Sequence, residues 1–254
     1  MPNCNFVNPI NITLKKAMKK RLFFALVLGT ALFATANAQT NFQTFYDFGR
    51  KHFTTTLEGF HTDNWGNTFF FIDYDYNNRD GNAIISPSNT YFEIARCLNF
   101  WQNSALAPLS LQVEYNGGFG MATPTPFYAG GFAFPVNSAF LFGVDYFLHS
   151  GDFKNTLNLK FLYKQFVHLH SQVPFQFTTV WGCQDLFGAP GLRFSGFLDV
   201  WCEGNNAVVL SEPQLWYSFG TEHFNLGGEV ELSYNFAGMS GFHIMPCLGM
   251  KWVF

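Results

Sequence analysis

The stretch TFFFIDYDYN, residues 68–77, sets two carboxylates two positions apart among aromatics. On an extended chain residues i and i+2 share a face, so Asp73 and Asp75 project with Phe69 and Phe71, while Phe70, Ile72, Tyr74 and Tyr76 project the other way. Two adjacent carboxylates could act as a general-base pair, and His61, His168 and His170 could join them at a rim. His168 and His170 could also offer two imidazoles to a metal from one strand face. Both sets are incomplete. No Ser/His/Asn or Asp/His constellation can be assembled from the sequence, and the histidine pair has no third ligand nearby. The reading is therefore non-enzymatic, with no cofactor and no metal. What remains is weak recognition: aromatic faces stack on flat rings, while carboxylates, amides and guanidinium groups hydrogen-bond ring edges and sugar hydroxyls.

The rest of the chain explains why such residues would alternate. Aromatic residues make up 20% of the 254 positions and charged residues only 12%, about half the roughly 25% of a soluble domain. No run reaches the ~18 apolar residues of a spanning helix. A chain this aromatic must hide its apolar surface another way, and a transmembrane barrel does so by facing it to lipid. The N-terminus predicts export. Lys15, Lys16, Lys19, Lys20 and Arg21 precede LFFALVLGTALFATA, and Ala36-Asn37-Ala38 offers a small-x-small cleavage site. Residues 1–38 are read as a signal peptide, with translation starting at Met18, and 39–254 as one barrel domain. The leader holds five of the 14 Lys and Arg and none of the 17 Asp and Glu, which leaves the mature chain at −8. That balance excludes nucleic acid as a partner. Cys97, Cys183, Cys202 and Cys247 are widely spread, specify no disulfide framework and read as small apolar fillers.

Period-two alternation recurs almost to the end. In PLSLQVEYN (108–116), Leu109, Leu111, Val113 and Tyr115 oppose Ser110, Gln112, Glu114 and Asn116. The fold class is all-β: a single antiparallel up-and-down transmembrane β-barrel of 12 strands, near 41–50, 52–62, 67–77, 89–100, 108–118, 137–149, 153–166, 173–184, 190–202, 206–218, 223–235 and 241–254. An even count puts both ends at the periplasmic side. The longest connections, 77–89 and 118–137, then lie outside the cell, and TDNWGN, HSGDFKN and GTEH form short periplasmic turns. FYAGGFAF (127–134) is read as part of a loop. Charges facing lipid cost roughly 2–4 kcal/mol at the midplane for Lys or Arg and less for Asp or Glu, so they should point inward.

Parity assigns Glu58, Phe69, Phe71, Asp73, Asp75, Glu114, Arg193, Asp199, Trp201, Glu212, Trp216, Glu229, Glu231 and Lys251 to the lumen as candidate solute-binding residues. Asp145, Lys160, Lys164, Phe197 and Gln214 share that face. Two irregularities are expected: a bulge or break at Pro213, and a bulge or altered register in 89–100, where Glu93 and Arg96 have opposite parity. In GFHIMPCLGMKWVF, the residues Phe242, Ile244, Leu248, Met250, Trp252 and Phe254 share one face. The ending Gly249-x-x-Trp252-x-Phe254 resembles the signal read by the barrel-assembly machinery, although Cys247 stands where that signal has a polar residue.

YDFGR (46–50), LEGFHTDNWGNTFFFIDYDYN (57–77), VEYNGG (113–118), EPQLWY (212–217) and MPCLGMKWVF (245–254) resemble an uncharacterised family of bacterial outer-membrane proteins that is similar to Tsx, the nucleoside-specific channel. The resemblance implies a barrel in the cell outer membrane that passes nucleosides or similar small polar or aromatic solutes. Its partners would be outer-membrane lipid, the assembly machinery through Phe254, and the solute. Two alternatives remain: a structural or adhesion barrel with an occluded lumen, and an outer-membrane protease or lipid hydrolase.

Overall fold

The computed structural model describes residues 38–77, 86–121, 132–221 and 223–254. The expected leader and its cleavage site at 36–38 lie outside them, except for Ala38, which is the first residue of β1. Alternating apolar and polar residues produce a run of β segments in chain order. They are β1 (Ala38–Asp47), β2 (His52–Asp63), β3 (Gly66–Asn77), β4 (Ser86–Leu98), β5 (Leu109–Met121), the short β6 (Ala133–Pro135), β7 (Ala139–His149) and β8 (Asn155–Phe166). After these come β9 (Phe175–Gln184), β10 (Leu192–Glu203), β11 (Asn206–Ser211), β12 (Gln214–Ser218), β13 (Phe224–Tyr234) and β14 (Phe242–Val253). Every pairing is antiparallel. β1 pairs with both β2 and β14, and β9 pairs with β10, so the sheet closes on itself and leaves no free edge.

The segments make 12 staves, as the alternation predicts, because two staves are interrupted. β11 and β12 form one stave. Its register against β10 is the same before the interruption (Leu198 opposite Ser211) and after it (Ser195 opposite Gln214). The expected irregularity at Pro213 is thus a break without a bulge: proline lacks the N–H that the ladder needs, and Glu212 N and Pro213 O still bond to Phe197 and Val230. β6 and β7 share the other interrupted stave. Here the register against β5 slips by one residue between Pro135 and Ala139. The loop reading of 118–137 is therefore too long: β5 runs to Met121, and Ala133–Pro135 belongs to the wall.

The expectation for 89–100 is also corrected. β4 runs in unbroken register past both Glu93 and Arg96, and the irregularity lies further along, where Asp75 and Tyr76 meet Asn89 and Pro87. Glu93 faces inward opposite Phe71. Arg96 faces outward at the rim where β1 begins and β14 ends, its guanidinium 2.8 Å from Asp63 and 3.0 Å from Thr68. A charge on the outer face is tolerable there because it sits at a strand end beside its counter-charge.

The outer face carries large apolar side chains around the ring. On β14 Phe242, Ile244, Leu248, Met250 and Trp252 all stand exposed, and Phe254 follows them. The outward face of the opening stretch is fitted as tightly as a core. A side chain at Gly59 would bring its Cβ within 2.4 Å of the Phe70 ring, which lies across that glycine.

Candidate functional site in the barrel lumen

Hydrogen bonds fix the inward faces. Thr56 donates to Asp73 at 2.5 Å, and Thr54 donates to Asp75 at 2.7 Å. Asn89 also donates to Asp75, and Asn41 donates to Glu58 at 2.8 Å. On the neighbouring staves, Tyr91 donates to Glu93 at 2.7 Å and Gln112 to Glu114 at 2.6 Å. Further round, Trp216 Nε1 donates to Gln214, whose amide donates to Glu229 at 2.8 Å, and Thr178 bonds Asp199. All these carboxylates project inward and are half-buried. Their partners are neutral hydroxyls and amides supplied by period-two neighbours on the same or the adjacent strand.

Each of the fourteen predicted lumen residues lies on the inner side of the register. Their carboxylates fall into two groups. Asp73 on β3 feels the charges of Glu229 on β13, Asp75 and Glu58. Glu212, in the gap between β11 and β12, feels Glu229, Asp73, Glu231 and Arg50. A second group joins Glu93, Glu114 and Asp199, with Lys164 close by. Side chains from staves four and five places apart in the ring therefore reach one another's fields. Phe69, Phe71 and Tyr91 form an inward aromatic ladder beside them, with ring centroids 6.1 and 5.9 Å apart.

The two tryptophans differ from expectation. Trp216 and Trp201 are buried and do not line open space. Lys251 Nζ lies 4.3 Å from the Trp216 ring centre, and Lys164 Nζ lies 4.3 Å from that of Trp201, so a cation already covers one face of each indole. Glycines make the room. A Cβ at Gly227 would meet Trp216 at 2.9 Å, and one at Gly249 would meet the Phe45 ring at 2.6 Å; that ring packs 5.6 Å from Trp216. Next to Trp201, the inward residues Ala139, Leu141, Leu162, Phe166 and Val208 form a buried apolar cluster.

Few ion pairs neutralise the lumen. Among the described residues, Arg50 bonds Asp47 at 2.9 Å and Glu231 at 2.5 Å, and His52 lies 3.8 Å from Asp75 and 4.0 Å from Asp47. The sequence places Arg50 at the end of its first strand, 41–50, but β1 stops at Asp47 and leaves Arg50 in the β1–β2 turn, where strand parity does not govern its direction. Glu93 was missed as a lumen residue because Arg96, three positions on, obscured its register. Cys97 is no passive filler: its thiol lies 3.3 Å from Gln112 and 3.5 Å from Asp145. The rim site imagined for His61, His168 and His170 cannot form. His61 lies near the rim where β1 begins, opposite Ala38, whereas His168 and His170 follow β8 at the opposite rim. Among the described residues no three His, Cys, Asp or Glu side chains are grouped to hold a metal.

A family model described as Domain of unknown function (DUF5020) matches residues 38–254. No curated protein sequence matches the chain. Among solved structures, the outer membrane protein Omp33 of Acinetobacter baumannii superposes with a TM-score of 0.40 at 11% identity, covering 86% of this chain and 98% of that one. A triple mutant of the Rhodopseudomonas blastica porin gives 0.35 at 11%, covering 87% and 99%. OccK11 (OpdR) of Pseudomonas aeruginosa gives 0.36 at 11%, covering 83% and 62%. At such identities no residue role carries over.

Proposed function

Since the chain belongs to the DUF5020 family, whose description assigns no activity, we propose from the lumen itself that the protein is an outer-membrane channel through which small polar solutes diffuse down their gradient. The observation that carries this reading is the contrast between faces: a closed ring with an apolar exterior encloses half-buried carboxylates whose partners are neutral donors. Such an exterior needs lipid, and such an interior needs water or a hydrogen-bonding solute. Outer-membrane location, with β14 and Phe254 engaging the assembly machinery, belongs to the same proposal.

The finer reading takes nucleosides or similar flat, hydroxyl-bearing solutes. Its support is the sequence resemblance to the Tsx-like family together with the Phe69–Phe71–Tyr91 ladder beside Asp73, Asp75 and Glu93. Trp201 and Trp216 contribute less than the sequence suggested, because a lysine covers one face of each. Successive weak sites of this kind let a solute enter and leave. Liposome uptake by the purified protein tests the reading: nucleosides should enter faster than sugars and amino acids of similar size. Equal rates for all three classes would refute the nucleoside preference and leave the channel standing.

One observation favours a second reading, the occluded structural barrel. The apolar cluster around Leu141, Leu162 and Trp201 fills part of the lumen with buried side chains. A barrel that passes no current in a planar bilayer and no solute into liposomes would establish it.

A further inference from the structure

We propose that the passage selects small organic cations bearing N–H donors, of the primary ammonium or guanidinium class, over anions and over quaternary ammonium ions. The inference deepens the channel reading and rests on it. Three independent features point to it.

The first is how the acids are held. Asp73, Glu58, Glu93, Glu114 and Glu229 accept hydrogen bonds from Thr56, Asn41, Tyr91, Gln112 and Gln214, and none of them is within ion-pair distance of a base among the described residues. Neutral donors fix a carboxylate in place without cancelling its charge. A passing cation therefore meets oriented acceptors that need not first break a salt bridge.

The second is where the bases are. Lys164 and Lys251 face inward, yet each is only 8% exposed and lies against an indole. Both cations are withdrawn into the wall, while the acids beside them keep contact with the passage. Trp201 and Trp216 are thus positioning residues. They park two lysines; Lys160 and Arg193 stay half-buried on the inner face, but eight half-buried carboxylates (Glu58, Asp73, Asp75, Glu93, Glu114, Asp199, Glu212 and Glu229) outnumber them and leave the accessible lining negative.

The third is an excess of buried acceptors over buried donors on the inner face. Glu231 Oε1 and Asn116 Oδ1 are buried and have no hydrogen-bond partner. Glu231 belongs to the cluster of Glu212, Glu229 and Asp73, and Asn116 is the cross-strand neighbour of Glu93. Trp201 Nε1 is an unpartnered donor on the same inner face, but acceptors outnumber it, with Gln43 Oε1 and Asp199 Oδ1 also unpartnered; the half-buried carboxylates around them favour a ligand that brings several N–H groups. A bare negative field would draw any cation, whereas these acceptors separate a primary ammonium from a quaternary one.

The test uses the full chain refolded into planar bilayers at neutral pH. A potassium chloride gradient should give a reversal potential of cation-selective sign, and methylammonium should permeate better than tetramethylammonium. The near-isosteric pair Asp73→Asn and Glu229→Gln should lower the cation-to-anion permeability ratio by roughly threefold, as the loss of nearby charges in a partly screened lumen requires. Trp216→Leu should lower it as well, by releasing Lys251, and adding Lys251→Met should restore it; a purely structural role for Trp216 would give no such rescue. A conducting barrel with no charge preference, or with an anion preference, overturns the inference and spares the channel. Equal permeation of methylammonium and tetramethylammonium overturns the donor requirement. A folded barrel that conducts nothing overturns the channel reading itself.

Discussion

Two walls of the same lumen are built in different ways. The wall formed by β7, β8, β10 and β11 near the rim opposite the chain ends packs Ala139, Leu141, Leu162, Phe166, Trp201 and Val208 against one another. The wall that runs β12, β13, β14, β1, β2 and β3 presents Asp73, Glu229 and Glu231, tied by Thr56, Gln214 and Arg50. Each wall holds one lysine on one tryptophan. The apolar wall is a miniature core whose residues need their neighbours' volume. The acidic wall depends on hydrogen-bond geometry, and its residues keep contact with the passage. A barrel interior is therefore no single environment, and a substitution should read out differently on its two sides.

The largest effect is expected on the apolar wall. Leu162→Ala leaves a cavity where a fully buried side chain stood, and should cost about 2–5 kcal/mol in a reversible unfolding titration in detergent or lipid. Glu229→Gln on the acidic wall keeps volume and an acceptor and should leave that titration nearly unchanged while altering conductance. If both variants destabilise equally, the contrast between the walls is wrong. The outer face should show no such contrast. Val113→Arg on β5 and Val230→Arg on β13 place a cation against lipid from either side and should each cost roughly 2–4 kcal/mol if near the midplane. A clear difference between them would mean that one segment does not meet hydrocarbon.

Arg50→Ala removes the partner of both Asp47 and Glu231, which are buried. It should destabilise the acidic wall by about 1.5–3 kcal/mol, the scale of hydrogen bonds to charged groups, and raise conductance by freeing that mouth. The smallest effect belongs to the turns. The Lys154–Asp185 pair, at 2.6 Å, is exposed, and the hydrogen bond from Lys154 holds the Asp185 carboxyl below its usual range. A lowered carboxyl pKa contributes stability above the unfolded value of about 4 and loses it as the pH falls through the folded value. Such exposed pairs are worth little, so Asp185→Asn should leave unfolding unchanged at pH 7 and at pH 3 alike.

Alternation along the chain was enough to establish the twelve staves, the closed antiparallel class and the side on which each residue of β5, β13 and β14 stands. The reason is local: side chains alternate along any strand, and lipid excludes charge from one of the two faces. Pro213 was legible for the same reason, because a missing N–H breaks a ladder wherever it falls. Tertiary structure alone decided what the inward residues meet. Parity set Trp216 and Lys251 on one face but could not bring the ammonium over the indole, since that depends on glycines at 227 and 249, on two different strands. Nor could it give Arg50 its partner Glu231, which lies 181 residues along the chain. Arg96 misled for a related reason: its outward position is tolerable only because Asp63, on a strand two places away in the ring, lies beside it at the rim.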